Sequence, residues 1–379
     1  MTTTPAPTIG VEEEFLLADA ATGQVVLAAP QVLGLLGRPS WAKPEMYRFQ
    51  LETTTRVCTD LDEIRMELLW HRQLVATAAE RLGCRLVASG TAPFRVAGLH
   101  GLTDTLRYRE LARRFTPLVA IGGTCGCHVH VAVPSRDLGA QVIARLRPWL
   151  APLLALSANS PIAFGRDTGW ASWRYPQWSQ WPTARPPAGW ARASDYDAAV
   201  RDLIDRRVAL DEQNVYFHAR LSRRYPTVEV RVADVCLDVD DAVLLTGLVR
   251  ALVVTAMKEV RDDRPVAVAP ARWVSAGLVA AARHGRGGAG VDPYSGAPVS
   301  QRSLIEQLVE HVNGGEVEGV AADDGGEIGA LLAGLGQRGT GAERQRTLWA
   351  RARSPSHLVE TLADATLAAP ASFSSSSGG

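Results

Sequence analysis

TCGCHVHVAV, Thr124–Val133, alternates strictly through its middle: Cys127, Val129 and Val131 fall on one parity, His128 and His130 on the other. In a strand, residues two apart share a face. The stretch therefore reads as a strand with one apolar face and two imidazoles projecting together from the other. Gly122, Gly123 and Gly126 precede it and permit a tight turn or a close approach. Two neutral imidazoles on one face are half of a divalent-metal site; protonated, they would hold a phosphate.

Three further stretches share the design. In TIGVEEEFLL (Thr8–Leu17), Glu12 and Glu14 lie on one face, with Val11, Glu13 and Phe15 on the other. Paired carboxylates repel unless they are solvated or share a cation. In YRFQLETT (Tyr47–Thr54), Gln50 and Glu52 oppose Phe49 and Leu51. In TVEVRV (Thr227–Val232), Glu229 and Arg231 oppose Val228, Val230 and Val232. Helical patterns between these strands would cover one side of a shared sheet, and the other face would gather five acidic or amide groups, two imidazoles and a guanidinium. Such oxygen ligands favour Mg²⁺ or Mn²⁺ over Zn²⁺. An acidic metal face beside arginine suits ATP-dependent phosphoryl transfer, in which catalysis is mostly positioning and charge neutralisation. There is no GxxxxGK[ST] loop.

The 379 residues carry 40 Lys+Arg against 40 Asp+Glu, a net charge of zero, which argues against nucleic acid or an anionic membrane as partner. No apolar run is long enough for a membrane span, and the first residues lack the regions of a signal peptide. Five irregularly spaced cysteines make no disulfide framework, so a reduced, cytoplasmic location is expected. Residues 1–7 and 366–379 read as flexible tails around a single domain, 8–365.

Thr59 to Asp62 resembles a capping box with Thr59 as N-cap, opening a helix that stops near Gly83. The apolar run Leu138–Ser157 contains Pro148 and Pro152 and is expected to kink or divide. Residues 159–187 hold four tryptophans, with Trp190 just beyond, and show almost no periodicity. This segment is expected to form an ordered lid, Trp170–Trp190, with Arg166 and Arg174 as clamps for carboxylate or phosphate. A tryptophan-rich dimer interface is the alternative.

GVEEEF (10–15), QLE (50–52), CGCHVHV (125–131), NSP with GRDTG and SWR (159–174) and EVRVAD (229–234) together resemble the carboxylate–amine ligase family known as glutamate–cysteine ligase type 2, related to glutamine synthetase. The resemblance implies an α+β fold: a glutamine-synthetase-like antiparallel sheet curved into a half-barrel and flanked by helices. It also implies ATP, Mg²⁺ or Mn²⁺, and a carboxylate activated as an acyl phosphate before a small-molecule amine attacks. By motif, Glu12, Glu14, Glu52 and Glu229 would be metal ligands, with His128 or His130 as a ligand or phosphate contact. Arg231 would steady the γ-phosphoryl group and Arg174 the substrate carboxylate, and a homodimer or higher homo-oligomer is expected. The donor and acceptor stay open. A metal-dependent amidohydrolase built on His128 and His130, or a binding protein on the same fold, are the competing readings.

Overall fold

In a computed structural model, which describes residues 6–96, 98–313 and 322–368, the chain is mixed helix and antiparallel sheet. The strands are β1 (Ile9–Asp19), β2 (Ala42–Pro44), β3 (Gln50–Thr54), β4 (Cys84–Val87), β5 (Gly126–Ala132), β6 (Ile162–Ala163), β7 (Arg166–Asp167), β8 (Ala219–Leu221), β9 (Thr227–Asp234) and, in a hairpin of their own, β10 (Ala289–Val291) and β11 (Pro298–Ser300). The main sheet runs β2-β3-β1-β5-β9-β8, with β4 added to the second half of β1. It is open, with β2 and β8 at its edges. Of the expected tails, residues 1–5 and 369–379 lie outside the described residues.

Alternation gives the sheet its two faces. Val11, Val129, Val131, Val228, Val230 and Val232 form an apolar layer beneath the helices Arg136–Leu146, Leu150–Ser157 and Val239–Arg261. Each of these six valines is at most 2% exposed, and their burial stabilises the sheet–helix contact at about 25 cal/mol per Å² of apolar surface. Glu13 breaks the pattern yet is fully buried, because Arg72 meets both its oxygens, with Nε to Oε2 at 3.0 Å. The same guanidinium donates to the carbonyls of Cys236, Leu237 and Thr366. A buried charge persists only when paired and hydrogen-bonded in this way.

Local signals translated with small shifts. The helix Leu61–Glu80 is capped by Asp60, not Thr59: Asp60 accepts from the Glu63 amide, and Glu63 reaches back to the Thr59 amide. The Leu138–Ser157 run divides at Pro148, which sits in a 3₁₀ turn between two helices. The tryptophan-rich segment is packed rather than free-standing. It holds the β6–β7 hairpin and a short helix, Arg174–Trp178, and Trp178, Trp181 and Trp190 are buried in the two hydrophobic cores.

The pairing of β5 with β9 slips by one residue. Val129 lies opposite Val230 but Cys127 lies opposite Ala233, so β9 carries an extra residue at Arg231–Val232. Bulges of this kind re-aim side chains near functional sites.

Candidate active site

The polar face of the sheet is the floor of a cavity of about 770 Å³ lined by Glu12, Glu14, Gln50, Glu52, His128, His130, Glu229 and Arg231. Register sets which of them meet. Glu12 is opposite His128, and Glu14 opposite Glu52. His130 is opposite Glu229 and diagonal to Glu12.

Two three-residue groups could hold a metal ion among the described residues: Glu12, His130 and Glu229, and Glu14, Glu45 and Glu52. Within each group, the ligand atoms lie within 4.8 Å of one another. The donor chemistry fits a hard divalent cation, five carboxylates and one imidazole. His130 adds a more specific sign. Its Nδ1 is 3.0 Å from Thr227 Oγ1, while its Nε2 is buried 3.7 Å from Glu12 Oε1, too far for a hydrogen bond. Holding one ring nitrogen fixed leaves the other free as a ligand.

His128 belongs to neither group, so of the two imidazoles it is His130 that falls among the carboxylates of a group. Its Nδ1 lies 3.4 Å from both Glu12 Oε2 and Arg231 Nη1. Burial, reinforced by Arg231, pushes it down to about 3, so it is neutral. For His130, burial acts the same way, but Glu229 and Glu12 outweigh it and raise the group.

The carboxylates divide by neighbour. Burial would raise Glu12, yet the imidazoles of His128 and His130 beside it hold it well below the usual range. Burial would also raise Glu229, yet Arg220 and Arg231 hold it low. Burial lifts Glu14 to about 7 despite Arg174 and Arg231, and lifts Glu45 well above the usual range with help from Glu14 and Glu52.

Arg174 reaches the cavity from the helix Arg174–Trp178. Its guanidinium donates to the carbonyls of Val232 at 3.2 Å and Arg231 at 3.3 Å, and Trp178 lies beneath it at 4.6 Å. Asp234 ties this helix to β9 by accepting from Ser160 at 2.6 Å and Ser172 at 2.8 Å. Gly126 is required beside it, since a Cβ there would come within 2.5 Å of Arg174 Nη2. Arg166 is corrected: it is exposed on β7 and does not line the cavity.

Sequence reading missed Glu45, Arg220 and Lys43. Glu45 sits between β2 and β3, where no alternation marks it. Arg220 lies on the three-residue β8, too short for a pattern, though its flanking Ala219 and Leu221 were a faint one. Lys43 bonds Glu52 at 3.0 Å from the edge strand.

The family model described as glutamate–cysteine ligase family 2 matches residues 8–363. The chain belongs to that family. A relative from Nocardia farcinica is 41% identical over 99% of this chain and 97% of its own length. One from Frankia alni is 41% identical over 93% of this chain and 94% of its own. Both bear provisional glutamate–cysteine ligase 2 names. Among solved structures, the glutamate–cysteine ligase from Francisella tularensis in complex with AMP is similar, with a TM-score of 0.69 and 14% identity over 98% of this chain and 91% of that one. The bifunctional glutathione synthetase from Pasteurella multocida gives 0.68 and 16% over 95% of this chain and 52% of that one. Those two likenesses concern the fold. By family, the chain is a carbon–nitrogen ligase. No helix among the described residues is long and apolar enough to cross a membrane.

Proposed function

We propose that this ligase joins the carboxylate of glutamate to an amine at the expense of ATP, through an acyl phosphate. The observation that carries the reading is the pair of carboxylate-rich groups on one sheet face with Arg231 beside them. Glu12, His130 and Glu229 would hold one Mg²⁺ or Mn²⁺, and Glu14, Glu45 and Glu52 another. Bound there, such ions neutralise phosphate charge. Arg231, aimed by the bulge of β9, supplies a fixed positive charge to the γ-phosphoryl oxygens. Arg174 holds the donor carboxylate. The donor oxygen attacks the γ-phosphorus and ADP leaves. The amine nitrogen then attacks the acyl carbon, and phosphate departs with the bonding electrons. His128 lies 3.4 Å from both Glu12 and Arg231 and lines the cavity beside them.

The expected half-barrel curvature of the open sheet, a cytoplasmic setting and a homo-oligomeric assembly belong to this same reading. ADP release that requires both glutamate and an amine supports it. Folded Glu14→Gln protein with unchanged turnover would remove the metal assignment.

A further inference from the structure

The cavity has two chemically different ends. Beyond His130 and Glu229 stand Arg220, Arg223 and Arg224 with Tyr225. This guanidinium-rich end suits a polyphosphate. The opposite end lies beyond Glu14 and Gly126, where the Glu14 carboxylate accepts from the Gly126 amide at 2.7 Å. Past Arg174 there, the lining turns apolar and aromatic: Tyr108, Leu118, Ile121, Trp178, Trp181 and Tyr216.

Four polar side chains around that wall are engaged within the protein. The Gln177 amide donates to the Ile121 carbonyl, and the Gln50 amide to Thr124 at 2.9 Å. The Tyr47 hydroxyl donates to the Val119 carbonyl. Arg107 meets both oxygens of Asp211, at 2.7 and 2.9 Å. The rings are held in place: Trp181 packs on Phe115 and Tyr216, with centroids 5.4 and 5.5 Å apart, and Trp178 on Arg174 and His218. Trp178 and Trp181 are nearly buried, at 6% and 8% exposed, so a ligand here meets their ring edges, the aliphatic carbon of Leu118 and Ile121, and the rings of Tyr108 and Tyr216.

Resting on the ligase reading, we propose that the acceptor is an aryl or aralkyl amine, not cysteine. Glutamate is a dicarboxylate and would lose hydration against this wall without repayment, so the wall falls to the acceptor. Cysteine offers one methylene and a thiol, far less area than the roughly 150–250 Å² of an aromatic side chain. The chemistry is unchanged: the C–N bond forms, the acyl C–O bond breaks, phosphate leaves with the electron pair, and the amine proton passes to phosphate or solvent.

The test uses the full chain with ATP, Mg²⁺ and glutamate. Hydroxylamine, too small to need the wall, traps the acyl phosphate as a hydroxamate. We expect hydroxamate, and kcat/KM for 2-phenylethylamine at least ~10-fold above that for cysteine. Trp181→Ala should lower the ratio of phenylethylamide to hydroxamate by ~10-fold or more. Ile121→Ser, at a half-exposed position that tolerates change, should lower it in the same direction. Hydroxamate formation with cysteine outrunning the ring amines overturns the acceptor assignment and leaves the ligase reading standing. Absence of hydroxamate overturns the ligase reading, and this inference with it.

Discussion

Arg220 grips Glu229 across the β8–β9 pair at two points, Nε to Oε2 at 2.7 Å and Nη2 to Oε1 at 3.1 Å. Arg231 donates to the same carboxylate from the other side. Glu229 thus stays ionised in a buried place and is aimed by a fork that is itself anchored on the Val215 carbonyl at 2.9 Å. Arg220→Ala should lower turnover about 10- to 100-fold, as removal of a group orienting a ligand does. Arg220→Lys should recover only part, because a point charge cannot grip both oxygens. Steady-state kinetics at varied Mg²⁺ would check this; a wild-type Mg²⁺ dependence in Arg220→Ala would count against it.

Arg231 faces a harsher requirement. If it acts on the transferring phosphoryl group, Arg231→Lys should cost on the order of 10³-fold in rate. As a buried structural ion pair with Glu229, the same change would instead show mainly as lost stability, with turnover of the folded protein kept. Turnover within a few-fold of wild type would reduce Arg231 to that lesser role.

Glu45 is a ligand candidate that only the folded chain reveals. Glu45→Gln should abolish turnover. It should also remove part of the rise in thermal midpoint that Mn²⁺ gives the wild type, since a ligand binding only the native state stabilises it. Melting the two proteins with and without Mn²⁺ is the measurement, and equal shifts would exclude Glu45 from the metal group.

Acid should weaken the fold partly through His71. Burial pushes this imidazole down to about 4, and Glu67, 3.9 Å away, offsets little of that. The ring stacks on Trp41, with centroids 4.4 Å apart, and lies near uncharged Trp70. Above the ordinary histidine range, near 6.5, both folded and unfolded forms are neutral and nothing is lost. As pH falls from about 6.5 to about 4, only the unfolded chain takes the proton, so stability declines by at most on the order of 2–3 kcal/mol. His71→Phe keeps a ring in the stack and should show a smaller fall in urea midpoint between pH 7 and pH 4.5. Identical falls would assign the acid sensitivity elsewhere.

By itself the sequence determined that a two-faced sheet would form, because alternation is a local property. Val129 and His128 must point opposite ways in any strand, whatever lies beside it. It also determined the family, and with it the carboxylates of β1, β3 and β9 that gather on one floor. Tertiary structure decided which of them meet. His130, not His128, joins Glu12 and Glu229 because the register of β5 sets it opposite Glu229 and diagonal to Glu12. The one-residue slip in β9 aims Arg231, and no periodicity announces a bulge. Arg166 and Arg174 are eight residues apart in a similar sequence setting. A hairpin carries the first into solvent, while a helix tied to Asp234 carries the second to the cavity wall. Distances between groups on separate strands depend on pairing and direction, and those are fixed only when the sheet closes against its helices.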